Sequence, residues 1–240
     1  MKQENWYDVD TARGGDFSLS NAFPILMRKV FVWMTLALAI TGITAYGVAS
    51  SPALVEMIFS SKVMFWGLII AEFGLVMAIS GAINRLSLAT ATLLFILYSV
   101  VNGATLSVIF LAYSTTVIAK TFFITAGTFG AMALVGYTTK TDLTSIGKLL
   151  FMALIGIIIA SVVNIFVGSS GLDLIISYVG VLVFVGLTAY DTQKIKEMCR
   201  MAPDAGESMQ KLALLGSLSL YLDFINLFLY LLRIFGNNKD

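Results

Sequence analysis

Asp223 stands about halfway along the last long apolar stretch of the chain, Leu212–Ile234. A carboxylate at the centre of a bilayer is unfavourable by roughly 2.5–3.5 kcal/mol on insertion scales, so it is retained where it faces a protein interior or a water-filled path. On a helix, Asp223 shares one face with residues spaced by three and four: Gly216, Ser219, Asn226, Tyr230 and Arg233. We expect this polar seam to face another part of the protein, with Ser219, Asn226 and Tyr230 as candidates to line a pathway.

Two further acidic residues lie in or beside apolar stretches. Glu72 is near the middle of the second stretch, where it could be a protonated side chain bonded to a neighbouring helix or a station on a pathway. Asp191 is at the end of the sixth stretch, where it could be a solvated carboxylate or the partner of Asp223. Asp223 itself could instead serve a structural ion pair or hydrogen bond between two helices.

An acid pair would have chemistry of its own. If Asp191 and Asp223 face each other they should share one proton, because two like charges a few ångströms apart cannot both ionise cheaply in a low dielectric. The protonated pair would clasp two helices together, and the ionised pair would repel or exchange partners with Arg85. Arg85 lies in the turn after the second stretch, at the membrane level of Asp191; it is the predicted counter-ion, unless it only reaches the headgroups.

The same pair would attract a hard cation. Calcium prefers six to eight oxygen ligands, more than Asp191 and Asp223 can supply. The residues therefore predict weak calcium binding and permeation in place of tight storage.

The composition of the chain indicates which class of protein carries these residues. The chain of 240 residues is 58% hydrophobic and 12% charged, whereas soluble proteins carry about 25% charged residues. Seven apolar stretches are long enough to span a bilayer, which takes about 20 residues each. They are approximately Lys29–Ala49, Val63–Ile83, Leu86–Ala112, Val117–Tyr137, Lys148–Val167, Leu172–Tyr190 and Leu212–Ile234. We predict an all-α integral membrane protein, with a flexible arm at 1–21 and one transmembrane domain at 22–240.

Other features narrow the chemistry and the orientation. The chain has no histidine and one cysteine, which argues against histidine-based catalysis, histidine-ligated zinc and an intrachain disulfide. The net charge of +1 argues against nucleic acid as a partner, and no cofactor is implied. Seven spans with a cytoplasmic N-terminus place eleven of the 15 lysines and arginines inside, with the C-terminus outside. A re-entrant last stretch would instead leave the C-terminus in the cytoplasm.

Four segments together resemble the Bax inhibitor-1 family, the transmembrane Bax inhibitor motif proteins, with their bacterial YccA-like branch. These segments are Gly136–Asp142, Leu150–Gly156, Gly186–Gln193 and Leu220–Phe228, within a resemblance that covers about 27–235. The resemblance implies a seven-helix fold with the last helix central and six around it. It also implies a pH-sensitive calcium leak whose sensor is an aspartate pair, matched here by Asp191 and Asp223, with Arg85 as the matching arginine. The protein would lie in the bacterial inner membrane.

The sequence differs from the family pattern at one place, and two other functions are considered. A long polar segment, 199–210, separates the two aspartates, so either the sixth span extends past Lys194 or the seventh begins near Ser217. The YccA-like branch also suggests a non-transporting regulator that binds a membrane protease or another membrane protein. An intramembrane aspartyl protease is disfavoured, because Leu220-Tyr-Leu precedes Asp223 where presenilin-like enzymes carry Gly-x-Gly. We therefore expect no enzymatic activity.

Overall fold

The structure, a computed structural model, describes residues 6–202, 204 and 206–236, with side chains from residue 23 onward. All regular secondary structure in these residues is helical. The helices are α1 Trp6–Ala49, α2 Pro52–Phe59, α3 Lys62–Ala82, α4 Leu88–Leu106, α5 Val108–Ala112, α6 Thr115–Thr138, α7 Thr144–Val167, α8 Ser170–Arg200 and α9 Glu207–Gly236. Seven helical segments in this part of the chain are long and apolar enough to cross a membrane. The predicted all-α class and its seven spans are confirmed.

Local sequence explains where several of these helices begin and end. Four of the spanning helices start after a serine whose hydroxyl accepts a hydrogen bond from a backbone N–H three residues on, which satisfies one otherwise unpaired amide. The pairs are Ser61 with Met64, Ser87 with Thr90, Ser114 with Val117, and Ser169 with Leu172. At the other end of α7, Gly168 has a φ of 66°, a left-handed conformation that glycine adopts without strain.

The sixth and seventh spans are longer than predicted. Helix α8 continues past Tyr190 to Arg200, and α9 already begins at Glu207. Ile195 and Cys199 are buried and continue the inner face of α8, which explains why this helix does not end at the edge of the apolar stretch. Of the two alternatives for bringing the aspartates level, the extension past Lys194 is the one observed.

The N-terminal region overlaps a helix. Helix α1 begins at Trp6, and its membrane-spanning part is Phe23–Ala49. The predicted arm at 1–21 therefore shares most of its length with α1, while residues 1–5 lie outside the described residues. The flexibility of this arm and its cytoplasmic location stay predictions.

Helix α9 is the most buried of the spanning helices. In its most apolar window 67% of the residues are buried, against 6% in α3 and in α7. Helices α1, α4, α6 and α8 pack directly against α9, whereas α3 packs on α4 and α7 packs on α8. Four neighbours thus contact the last helix, and the ring of six around it stays a prediction.

Two glycines allow α6 and α7 to approach α8 next to Asp191. A Cβ atom at Gly136 of α6 would collide with the backbone carbonyl of Ala189. A Cβ atom at Gly147 of α7 would lie 2.5 Å from the ring of Tyr190. Small residues at such crossings let helix backbones pack closely inside a membrane, so both helices are held against the part of α8 that carries the acid.

We expect Gly136→Ala to destabilise the protein, because the added methyl group meets backbone that cannot move independently. Overpacking of this kind typically costs about 1–3 kcal/mol. The matched control is Gly130→Ala in the same helix, where a Cβ atom meets nothing within 4 Å. Thermal unfolding of the two purified variants in detergent measures the difference, and equal stability of both would contradict the close crossing.

Candidate functional site

The polar seam of α9 faces α8. Near one end, the ring of Tyr230 occupies the space in front of Gly180, and it stacks on Phe184 with ring centroids 5.9 Å apart. Beyond it, Arg233 Nη1 donates to Asp173 Oδ1 at 3.1 Å. The spacing of three and four that defined the seam therefore marks the contact between α8 and α9. Tyr230 packs against α8, and its role in a pathway stays a prediction.

Asp191 and Asp223 are brought together at this contact. Their carboxyl groups lie close enough to interact with each other across the contact between α8 and α9. Asp223 is only 5% exposed, and its second oxygen, Oδ2, has no hydrogen-bond partner in the described part of the chain. Two carboxyl groups can hydrogen-bond to each other only when one of them carries a proton. The arrangement can therefore hold one proton between two membrane helices.

Lys194 is the cation whose charge acts on Asp191. Its positive charge acts on Asp191 from three residues further along α8, and its ammonium lies 6.0 Å from the centroid of the Tyr190 ring. Arg85 is exposed in the turn after α3 and forms no ion pair with any described residue. The structure thus does not bring Arg85 to Asp191. The extension of α8 past Lys194 was one of the two predicted alternatives, but the sequence did not indicate Lys194 as the cation that acts on the acid.

Two further residues of α8 hold the turn between α6 and α7. Gln193 Oε1 accepts from the backbone N–H of Leu143 at 2.8 Å, and Gln193 Nε2 donates to the carbonyl of Thr141 at 2.8 Å. Lys196 Nζ donates to the carbonyl of Tyr137 at 2.8 Å. A cation suits this place, because the last carbonyls of a helix are unpaired and carry partial negative charge. Gln193 and Lys196 therefore fix the turn beside Asp191.

A cavity of about 580 Å³ opens beside this turn. Gln193, Lys196 and Asp142 line it, whereas Asp191 and Asp223 do not. The hydroxyl and the backbone N–H of Thr144 lower the pKa of the exposed Asp142 carboxyl below its usual value. The cavity is polar and open at the rim of the bundle, and the acid pair is closed off from it in this conformation.

Glu72 contacts α4. Asn102 Nδ2 donates to Glu72 Oε2 at 3.4 Å, and the Thr105 hydroxyl near the same carboxyl donates instead to the carbonyl of Val101 in its own helix at 3.3 Å. The other oxygen, Oε1, is buried without a hydrogen-bond partner among the described residues. A bond to a neighbouring span, one of the two interpretations of Glu72, is thus present, and its role in a pathway stays a prediction.

The contact with Asn102 continues into a hydrogen-bonded chain that the sequence did not single out. Tyr221 Oη donates to Asn102 Oδ1 at 2.8 Å, and Thr41 Oγ1 lies 2.7 Å from Tyr221 Oη. Thr41, Asn102 and Tyr221 are all buried. The available signal was weak: an asparagine within an apolar stretch, and a tyrosine two residues before Asp223.

The remaining pathway candidates lie on α9 and are partly buried. Asn226 Nδ2 donates to the carbonyl of Leu222 in its own helix at 2.8 Å, and Ser219 is half-buried. A hydrogen bond within the helix satisfies a polar side chain in an apolar setting without a partner on another helix. The structure places both residues on the seam and leaves their role in a pathway a prediction.

Metal binding at the acid pair would use few ligands. No group of three or more acidic or cysteine side chains in the described part of the chain could hold a metal ion. Two carboxyl groups fall well short of the six to eight oxygens that calcium prefers. The chemistry of this site therefore fits passing contact with a divalent cation better than stable coordination.

Comparison with known proteins identifies the family. The family model described as "Inhibitor of apoptosis-promoting Bax1" matches residues 24–240. The chain belongs to the Bax inhibitor-1 family. It is 52% identical over 214 residues to inner membrane protein YbhL of Escherichia coli (strain K12), a match that covers 89% of this chain and 92% of YbhL. Family membership, predicted from four segments of the sequence taken together, is thus confirmed.

Two other bacterial proteins are similar over the same length. A protein of Borreliella burgdorferi is 51% identical over 214 residues, covering 89% of this chain and 92% of its own. A protein of Rickettsia prowazekii is 45% identical over 216 residues, covering 89% and 90%. The similarity spans nearly the whole length of each protein.

We expect Gln193→Ala to loosen the turn between α6 and α7, because it removes two hydrogen bonds worth about 0.5–1.5 kcal/mol each. Hydrogen exchange of the backbone amides at 139–143, followed by mass spectrometry, should become about tenfold faster or more. Lys194→Ala is the matched control, since Lys194 is the next residue of α8 and makes no contact with the turn. If both variants exchange at the rate of the unsubstituted protein, Gln193 does not hold the turn.

Proposed function

We propose that this protein is a pH-sensitive cation leak of the bacterial inner membrane, with calcium as the permeating ion and the Asp191–Asp223 pair as its gate. The observation that carries the proposal is the pair of interacting carboxyl groups, one of them 5% exposed, at the contact between two membrane helices. The inner-membrane location of the relative YbhL supports the membrane assigned. The pair acts as a gate in this proposal and not as the catalytic dyad of a protease.

The closed state corresponds to the arrangement described above. One proton lies between the two acids, so the pair carries a single negative charge and clasps α8 to α9. Asp223 is nearly inaccessible, and the aromatic contact at Tyr230 and the ion pair at Arg233 close the same seam further along. No continuous polar path can cross the bundle along this seam while those contacts hold.

Loss of the shared proton opens the seam. Two unit charges about 4 Å apart repel by about 4 kcal/mol at an effective dielectric constant of 20. A free-energy change of this size shifts a two-state equilibrium by up to about a thousandfold, which is enough to convert a mostly closed population into a mostly open one. Asp191 then turns towards Lys194, whose positive charge already attracts it, and Asp223 is left exposed to the opening between α8 and α9.

A divalent cation fits the opened seam. Two ionised carboxylates attract hard cations, and the small number of oxygens keeps binding weak enough for the ion to leave, as conduction requires. Leak therefore increases as pH rises through the range in which the pair loses its proton. With the N-terminus in the cytoplasm, Asp191 and Lys194 lie towards the cytoplasmic end of α8, so cytoplasmic pH controls the gate.

Calcium flux into proteoliposomes that contain the purified protein tests the proposal. We expect the wild-type protein to admit calcium faster at alkaline than at acidic pH, by about tenfold or more, given the population shift estimated above. Asp191→Asn and Asp223→Asn should each abolish most of this pH dependence, because an amide neither ionises nor repels the remaining acid. Asp204→Asn, at an exposed carboxylate between α8 and α9, is the matched control and should retain the wild-type response.

The flux assay also separates the competing function. A protein that passes no cation at any pH is not a channel, and the regulator that binds a membrane protease or another membrane protein would then replace the present proposal. Flux with an unchanged pH dependence in both aspartate variants would leave a channel but remove the pair as its gate.

A further inference from the structure

Glu72 is an acidic side chain inside a membrane helix that the acid-pair gate does not use. None of the described lysines or arginines forms an ion pair with it. One of its oxygens accepts a long hydrogen bond of 3.4 Å from Asn102, and the other is buried without a partner in the part of the chain described. A carboxylate so poorly compensated in an apolar setting is strongly disfavoured relative to the protonated acid. The position is therefore suited to binding and releasing a proton.

We propose that Glu72 is a second proton-binding site of this protein, and that Asn102 and Tyr221 transmit its protonation state to α9, the helix that carries Asp223. This inference rests on the proposed gate for its functional meaning. The proton site itself has a separate readout, described below.

The hydrogen bonds next to Glu72 can adopt two arrangements. Thr41 Oγ1 lies 3.0 Å from the carbonyl oxygen of Ser99 and 2.7 Å from Tyr221 Oη, which in turn lies 2.8 Å from Asn102 Oδ1. These three contacts compete for the two hydroxyl hydrogens of Thr41 and Tyr221. Either Thr41 donates to Tyr221 and Tyr221 to Asn102, or Thr41 turns away to Ser99. The chain can thus switch by rotating a hydroxyl group.

The charge on Glu72 selects between the two arrangements. Hydrogen bonds in a chain polarise one another. An ionised Glu72 strengthens the hydrogen bond from the Asn102 amide, which makes Asn102 Oδ1 a better acceptor for the Tyr221 hydroxyl. The Tyr221 oxygen in turn becomes a better acceptor for the Thr41 hydroxyl. A protonated Glu72 removes that bias and releases Thr41 to Ser99. The proton on Glu72, on α3, therefore changes the contacts that tie α9 to α1 and α4.

Tyr221 and Asp223 lie on different sides of α9. Residues two positions apart point in directions about 200° apart around a helix. The Tyr221 hydroxyl therefore faces α1 and α4, while the Asp223 carboxyl faces α8. A helix moves as a rigid body over this distance, so a change of contacts on one side is felt by the pair on the other. Tyr221 is a positioning residue in this scheme, and coupling between the two sites must be reciprocal.

The groups facing Glu72 do not provide an alternative proton site of the same kind. From α4 the titratable neighbour is Tyr98, and from α9 it is Tyr221. Helix α2 also packs against α3, and its one titratable side chain, Glu56, is exposed. No basic residue among those described interacts with the Glu72 carboxyl, so its own ionisation dominates the local charge.

Infrared difference spectroscopy of the purified protein in lipid, recorded against pH, tests the proton site directly. We expect a protonated-carboxyl band that disappears in Glu72→Gln and persists in Glu56→Gln. In Tyr221→Phe the same band should titrate at a pH displaced by about one unit, matching a coupling near tenfold. Tyr98→Phe is the matched control, since the Tyr98 ring packs on the Tyr221 ring with centroids 5.7 Å apart, while its hydroxyl takes no part in the hydrogen bonds that join Thr41, Tyr221 and Asn102. Absence of a Glu72 band at every pH would overturn the proposal, as would an unchanged titration in Tyr221→Phe.

Calcium flux then tests the coupling to the gate. Glu72→Gln should displace the pH midpoint of flux by about one unit, for the same coupling factor. In the Tyr221→Phe background, where the hydrogen-bonded chain is broken, adding Glu72→Gln should not displace the pH midpoint of calcium flux further. A double-mutant cycle measures this difference. If wild-type protein shows pH-gated flux and the cycle shows additive effects, the coupling is absent. If the wild-type protein passes no cation, the proposed gate fails, and the infrared titration alone decides whether Glu72 binds a proton.

Discussion

Two carboxyl groups can lie together inside an apolar helix bundle only while a proton lies between them. In the proposed gate, the contact between Asp191 and Asp223 makes the packing of α8 on α9 conditional on protonation, which is not true of the apolar contacts elsewhere in the bundle. The other contacts along this seam, the stacking of Tyr230 on Phe184 and the ion pair of Arg233 with Asp173, do not themselves require a shared proton. The buried acid pair is thus a place where the pH of the surroundings could act on the packing of α8 on α9.

The contact between Asp191 and Asp223 affects the rest of the bundle because of where α9 lies. This helix packs against α1, α4, α6 and α8, so a change at its contact with α8 is opposed or supported by the contacts on its other sides. On the side of α4 and α1, Tyr221 links it to Asn102 and Thr41 by hydrogen bonds instead of apolar packing alone. Helices α3 and α7 are the least buried of the spanning helices, with 6% of the residues in their most apolar windows buried.

Part of the site was predictable from the sequence because helical spacing is regular. The stripe through Asp223, Tyr230 and Arg233 follows from the repeat of 3.6 residues per turn, and the structure places it against α8 as one continuous contact. The counter-ion was not predictable in the same way. Lys194 acts on Asp191 only because α8 continues past the end of its apolar stretch, and hydropathy reports where lipid begins, not where a helix ends. The predicted partner, Arg85, lies instead in an exposed turn.

A bond from Glu72 to a neighbouring span was predicted as one alternative, but the hydrogen-bonded chain that joins Glu72 to Asn102 and Tyr221 was not, for a different reason. Its members come from α3, α4 and α9, and no spacing within one helix indicates that three helices will meet at one point. By itself the sequence determined that seven apolar helices must cross a membrane, and that any acid within them must find a partner, because lipid offers no hydrogen bonds. Only the tertiary structure decided which partners these are. The rotation of each helix and its distance from its neighbours depend on contacts between helices, such as the close crossing that Gly136 allows because it has no side chain.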